Sequence, residues 1–197
     1  MISMLHGILF EKSPGLAVIE CGGVGYDVAM PVGAYNSLPS VGDECRVFVR
    51  HVVREDDEQL YGFASREERG VFDLLQGVSG VGPKLALSVL DGLSVQDFRR
   101  CVVNGDAKRL SAVKGVGKKT AERIVVELKG KIDPVEAMAS GGGGAAPMDA
   151  SLRDAILALS SLGFNQEVAY RMVQAAIDGG ADRTNTEELI RAALAAR

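Results

Sequence analysis

The chain has 197 residues, of which 47% are hydrophobic and 24% charged, with a net charge of −4. This is the composition of a soluble globular protein with material for one to three small domains, and no apolar run approaches the ~18 residues of a membrane span. No basic start leads into an apolar core and cleavage site, and Cys21, Cys45 and Cys101 form no Cys-x-x-Cys pair, so the expectation is a cytoplasmic protein with reduced thiols and neither a zinc site nor a disulfide scaffold.

Residues 1–63 read as a domain of β structure with a net charge of −5. Apolar, β-branched runs near 4–10, 16–21, 24–31, 45–53 and 60–63 are separated by turn signals at Ser13-Pro14-Gly15, at Gly22-Gly23, over Pro31 to Gly42 and at an acidic run. Five short strands without a long helix predict a small barrel, most simply an OB-fold. Gly22 and Gly23 are explained by a hairpin turn. Glu55, Asp56, Asp57 and Glu58 stand in succession between two strands, which predicts an exposed hairpin tip where like charges stay solvated. The four acids read either as a solvated loop or as a carboxylate cluster for a divalent metal, although calcium-loop spacing and a neighbouring histidine are missing.

Residues 64–133 read as a helical domain, and the net charge of +4 over 64–134 concentrates the chain's positive charge there. Ser65 and Glu68 have capping-box spacing ahead of Val71, Phe72, Leu74 and Leu75. Further helices are predicted at 84–90, 94–103, 106–112 and 118–131, with Leu85, Leu87, Val89, Leu110, Val113, Ile124, Val125 and Leu128 as core. Within this domain Gly80-Val81-Gly82-Pro83-Lys84-Leu85-Ala86 recurs as Gly115-Val116-Gly117-Lys118-Lys119-Thr120-Ala121, at an offset of 35 residues. Val78 matches Val113 and Val89 matches Ile124 at the same offset, so one supersecondary unit is used twice.

A Gly-x-Gly turn that opens a helix lets a ligand approach the main chain, and the helix's unpaired amides and positive dipole end attract an anion. Lysines in the first turn, Lys84 in one copy and Lys118 and Lys119 in the other, oppose that dipole and are better explained by an anionic ligand than by helix stability. Lys119 and Arg123 share a helix face. The P-loop pattern fails because Ala112 stands five positions before Gly117, and the dinucleotide fingerprint fails because Gly82 continues into Pro83-Lys84-Leu85. The plain alternative is a pair of tight turns between packed helices beside a solvated basic face, but a turn alone does not ask for the matching lysines.

Residues 134–148, small and polar with Gly141 to Gly144 in succession, read as a flexible linker. Residues 149–197 read as a three-helix bundle: Asp149 or Ser151 caps a helix to about 161, Asn165 one to about 178 and Thr186 one to about 196, with Gly163 ending the first. The leucines at 152, 159, 162, 189 and 194 read first as core. A small bundle on a tether also suits a docking module.

The glycine segments resemble paired helix-hairpin-helix motifs, which grip nucleic-acid backbones without sequence preference. Gly80 to Leu87 and Lys114 to Arg123 together resemble the middle domain of the RuvA family of bacterial Holliday-junction-binding proteins. Gly22 to Val28 resembles the family's first domain, Val52 to Phe63 its acidic hairpin, and Leu159 to Phe164 the first-helix end of its ubiquitin-associated-like (UBA-like) third domain.

The resemblance implies a multidomain α+β protein: an N-terminal five-stranded OB-fold barrel, a central tandem helix-hairpin-helix domain, a flexible linker and a C-terminal three-helix UBA-like bundle. It implies DNA-backbone contacts from Gly80, Gly82, Lys84, Gly115, Gly117, Lys118, Lys119 and Arg123, and an acidic pin of Glu55 and Asp56 that repels phosphates at the crossover of a tetramer. It further implies that the third domain binds the ATPase motor RuvB, with Leu159 and Leu162 at positions implicated in that contact. The expected partners are four-way junction DNA, a RuvB-type ATPase and a RuvC-type resolvase, in a homotetramer or two such tetramers face to face. No catalytic residue and no cofactor are expected. The chain departs from the family pattern at Met4 and His6, where basic residues are usual, and Asp57 and Glu58 add charge beyond the two pin acids. His6 supplies either a weak backbone contact or a structural one.

Two rival classes remain at this point. One is an enzyme, either a helix-hairpin-helix glycosylase or lyase, which would need a base-flipping pocket, or a magnesium-dependent nuclease using Glu55 to Glu58. The other is a protein-interaction scaffold with no DNA role.

Overall fold

The computed structural model describes residues 1–132, 150–164 and 166–195, so the predicted linker and the Asp149 and Asn165 caps lie outside the described residues. Two compact units emerge, Met1–Leu128 and Lys129–Arg197.

In the first unit five strands close into a barrel: β1 (Met4–Ser13), β2 (Leu16–Cys21), β3 (Val24–Ala29), β4 (Glu44–Val53) and β5 (Glu58–Phe63), in the spatial order β1-β2-β3-β5-β4. All pairings are antiparallel except β3 with β5, where Val28 opposes Leu60 and Ala29 opposes Tyr61. That parallel pair closes the sheet and removes its free edges. β1 serves two neighbours: Met4 to Ile8 pair with β4, Ile8 to Ser13 pair with β2, and the β2 register shifts between Leu9 and Glu11. The bend brings β1 so close to β2 that a Cβ on Gly7 would lie 2.0 Å from the carbonyl oxygen of Glu20, a space only glycine fills. Alternate residues Leu5, Leu9, Ala17, Ile19, Val28, Cys45, Val47 and Val49 form the barrel core.

The stretch Pro31 to Gly42, predicted as a turn region, contains a short helix, α1 (Val32–Ser37). It has no side-chain cap of its own. Its first amide, Val32 N–H, instead donates to Asp91 Oδ1 at 2.7 Å, a carboxylate 59 residues away.

Five further helices complete this unit: α2 (Arg66–Gln76), α3 (Pro83–Gly92), α4 (Val95–Asn104), α5 (Ala107–Ser111) and α6 (Lys118–Leu128). Ser65 caps α2 by accepting from the Glu68 amide at 3.1 Å, and the Glu68 carboxylate returns to the Ala64 amide at 2.9 Å, one residue before the usual capping-box partner. Ser94 and Asp106 cap α4 and α5 in the same way. Of the predicted core, Val89, Leu110, Val113, Ile124 and Leu128 are buried, whereas Leu85, Leu87 and Val125 are only half-buried. Phe72, Leu75, Ala86, Phe98, Cys101, Val102 and Ala121 are buried beside them.

In the second unit α7 (Ala150–Ser161), α8 (Gln166–Asp178) and α9 (Thr186–Ala195) pack around Ile156, Leu159, Val173 and Leu189. Gly163, at φ +94°, ends α7 in a Schellman turn, with Phe164 N–H donating to Leu159 O at 3.2 Å. α9 is capped by Asn185, not by the predicted Thr186. The Asn185 side chain accepts from Glu188 N–H at 3.2 Å, which places Thr186 inside the first turn and leaves the residue before it as the cap.

Candidate nucleic-acid interface

The 35-residue offset in the sequence reappears in the backbone hydrogen bonds of the two turns. Val78 N–H donates to Leu75 O at 3.0 Å and Val113 N–H to Leu110 O at 3.1 Å; Val81 N–H donates to Val78 O and Val116 N–H to Val113 O, both at 3.0 Å. Ala86 and Ala121 then donate to Gly82 O and Gly117 O at 3.0 and 2.9 Å, which starts α3 and α6. The valine between each glycine pair turns inward, with Val81 6% and Val116 4% exposed, and anchors its turn to the core.

The two glycines of each turn have separate jobs. Gly80 and Gly115 lie at φ +83° and +86°, where a side chain is strained. Gly82 takes an ordinary φ of −89°, and a Cβ there or on Gly117 would meet nothing within 4 Å. The second glycines are therefore required neither by backbone strain nor by packing. They leave the main chain open at the start of a helix, where the first amides lack intrahelical acceptors. Pro83 has no N–H to offer, so the Gly117 turn presents one more amide than the Gly82 turn.

Charge follows the same division. α2, α4 and α9 carry acids in their first turns, as the helix dipole favours, whereas α3 and α6, like α1, α5 and α7, carry none. Lys84, Lys118 and Lys119 occupy those first turns instead; all three are exposed, and none forms an ion pair among the described residues. Arg123 sits differently. Its guanidinium donates to Ser79 O at 2.9 Å and lies against Gly80, so it fastens α6 to the first turn. Reciprocally, Gly115 lies against the Leu85 side chain of α3.

The acidic run lies where β4 turns into β5. Val53 pairs with Glu58, and Arg54 N–H donates to Asp57 O at 2.8 Å, which leaves Glu55 and Asp56 at the exposed tip. Glu58 belongs to β5 rather than to the tip: its carboxylate lies 3.3 Å from His51 Nε2 on β4. A histidine therefore does stand beside the acids, contrary to the sequence reading, because strand pairing rather than chain proximity supplies it. Among the described residues no group of three or more His, Cys, Asp or Glu is placed to hold a metal ion. His6 lies on β1 with Nε2 3.0 Å from Glu44, and Met4 is 44% exposed.

In the bundle, Leu159 is fully buried and Leu162 is 63% exposed. Leu162 faces solvent at this end of α7, while Leu159 holds the helix end in place from the core. Leu157 on the same helix is 44% exposed. No described helix is long and apolar enough to cross a membrane.

Comparison with known proteins accounts for each part of this architecture. The family profile described as RuvA N terminal domain matches residues 1–62, that of a SAM-like helix-hairpin-helix tandem matches 72–131, and that of the RuvA C-terminal domain matches 150–196. The chain is 42% identical to the Holliday junction branch migration complex subunit RuvA of Methylococcus capsulatus, across 98% of each chain. It is 41% identical to the protein of that name from Alkalilimnicola ehrlichii, over 100% of this chain and 99% of the relative. With the corresponding protein of Rubrobacter xylanophilus the identity is 45%, over 98% and 96%. A closed barrel, a doubled glycine hairpin and a three-helix bundle, matched from end to end at this identity, make the chain a member of the RuvA family.

Proposed function

We propose that this protein binds four-way Holliday junctions as the non-catalytic DNA-binding subunit of a branch-migration complex in recombination and repair. The observation that carries this reading is the pair of equivalent glycine turns, each opening a helix with exposed, unpaired lysines where the helix dipole favours acids. Such turns offer amides and ammonium groups to phosphates, which positions a duplex without reading its sequence. Gly80, Gly82, Lys84, Gly115, Gly117, Lys118 and Lys119 form this grip, and Arg123 supports it by fastening α6 to the first turn. Glu55 and Asp56 act as the pin: a negative tip between two strands repels phosphates and keeps the arms apart at the crossover.

The protein works as a homotetramer, since a four-armed ligand suits fourfold symmetry, and two tetramers enclosing the junction are the larger form. Residues 149–197 recruit a RuvB-type hexameric ATPase with Leu162 on the contact surface, and a RuvC-type resolvase acts on the same junction. The three parts are 1–63, 64–133 and 149–197, with the linker 134–148 between the second and the third.

A gel-shift competition at fixed salt tests the reading, with a labelled four-way junction against excess linear duplex of matched length. A junction that wins by orders of magnitude and stays uncut in magnesium is the expected result. Equal binding of both ligands removes the role of the pin, cleavage points to a nuclease, and binding to neither leaves a scaffold.

A further inference from the structure

We infer that Arg50 and Asp73 are positioning residues which, with the Phe72 ring, lock the acidic hairpin to the first glycine turn. Arg50 lies on β4 three residues before Val53, where that strand runs into the acidic tip. Asp73 lies near the end of α2, and its backbone carbonyl accepts from Gly77 N–H where the helix gives way to the Gly80 turn. The guanidinium meets the carboxylate as a fork: Nε donates to Oδ1 at 2.6 Å and Nη2 to Oδ2. Both side chains are about one-third exposed, at 32% each, so the pair is partly shielded from water. A two-bond planar fork fixes orientation as well as distance, which a lysine does not do.

The second strand of the hairpin is fastened to the same helix. Tyr61 and Phe63 of β5 hold their rings 5.2 and 5.0 Å from that of Phe72, the residue next to Asp73. Phe63 and Phe72 are fully buried and Tyr61 is 4% exposed. Both legs of the acidic hairpin are therefore attached to one turn of α2, a few residues before the first phosphate-binding turn. Offset or tilted ring pairs resist sliding, and the fork resists rotation about the ring contact.

This inference rests on the proposed junction binding, for which the spacing between the repelling tip and the gripping turns decides whether a crossover or a plain duplex fits. The lock makes that spacing a property of the folded chain before DNA arrives.

The test uses the full chain and two readouts. Spin labels on Asp57→Cys and Val126→Cys, in a Cys21→Ser background, report the distance from the acidic loop to α6 without DNA. Unlabelled protein supplies junction and duplex affinities. Asp73→Asn keeps the shape and removes the charge; it is expected to broaden the distance distribution and to reduce the preference for junction over duplex about tenfold, with linear-duplex affinity held within about twofold. Arg50→Lys, which keeps the charge and loses the fork, is expected to do the same to a smaller extent and serves if Asp73→Asn does not fold. An unchanged distance distribution in both variants overturns the lock. So does a parallel loss of junction and duplex affinity, which marks the pair as a general stabiliser. A wild-type protein with no junction preference, whose distribution still broadens in Asp73→Asn, upholds the lock and overturns the junction reading instead.

Discussion

Arg123 donates its guanidinium to the carbonyl oxygen of Ser79 at 2.9 Å, so the helix opened by the second glycine turn is fastened to the first. The side chain read from sequence as a phosphate contact thus spends one donor inside the protein. Arg123→Ala is expected to lower the melting temperature by a few degrees and weaken binding of all duplexes. Its effect on the salt dependence should be smaller than that of any of the three lysines. Melting curves and binding isotherms over a salt series check both.

The paired glycines separate stability from binding. Gly80→Ala or Gly115→Ala places a Cβ in the left-handed region and should cost about 1–2 kcal/mol of stability, read by chemical denaturation. Gly82→Ala and Gly117→Ala meet open space and should leave stability nearly unchanged. On the proposed grip those two should nonetheless weaken duplex binding, because the added methyl would crowd the open amides at the helix start.

Lys118→Ala with Lys119→Ala should weaken binding to every duplex by a similar factor, whatever the sequence. The slope of log K against log salt should flatten by roughly one unit for each phosphate that is no longer neutralised. Lys84→Ala should show the same signature for the first turn. A sequence-dependent loss would contradict a grip made on the backbone alone.

Glu55→Ala with Asp56→Ala removes the two carboxylates at the tip. The expected outcome in the gel-shift competition is a reduced preference for the junction with linear-duplex binding preserved or strengthened. Glu58→Gln should have a weaker effect, since that side chain lies back on β5 beside His51.

Burial pushes the thiols of Cys45 and Cys101 above their ordinary range. With the folded value raised, the native state holds its thiol protons longer than the unfolded chain. The resulting stability is present below the unfolded thiol value of about 8.5 and declines as pH rises through and beyond it. Alkylation under native conditions at mildly alkaline pH should label the half-buried Cys21 first and reach Cys45 and Cys101 only on unfolding, as mass spectrometry of the peptides will read.

Much of this protein was legible in its sequence because the informative signals are local or repeated. Alternating β-branched runs placed five strands, Ser65 and Glu68 marked a helix start, and the matched Gly-Val-Gly segments marked two equivalent turns with lysines on an unfavourable helix end. Tertiary structure decided what depends on partners distant in the chain. α1 was hidden because its capping carboxylate is Asp91, supplied from another helix. Leu159 and Leu162 are both leucines near one helix end, and only packing against α8 and α9 buries the first and leaves the second exposed. Glu58 left the acidic tip because strand register sets it opposite Val53 and beside His51. Arg123 and Ser79 are 44 residues apart, and Arg50 and Asp73 are 23 apart. Periodicity and propensity act over a few residues, whereas a directional hydrogen bond between distant segments exists only once the core has brought them together.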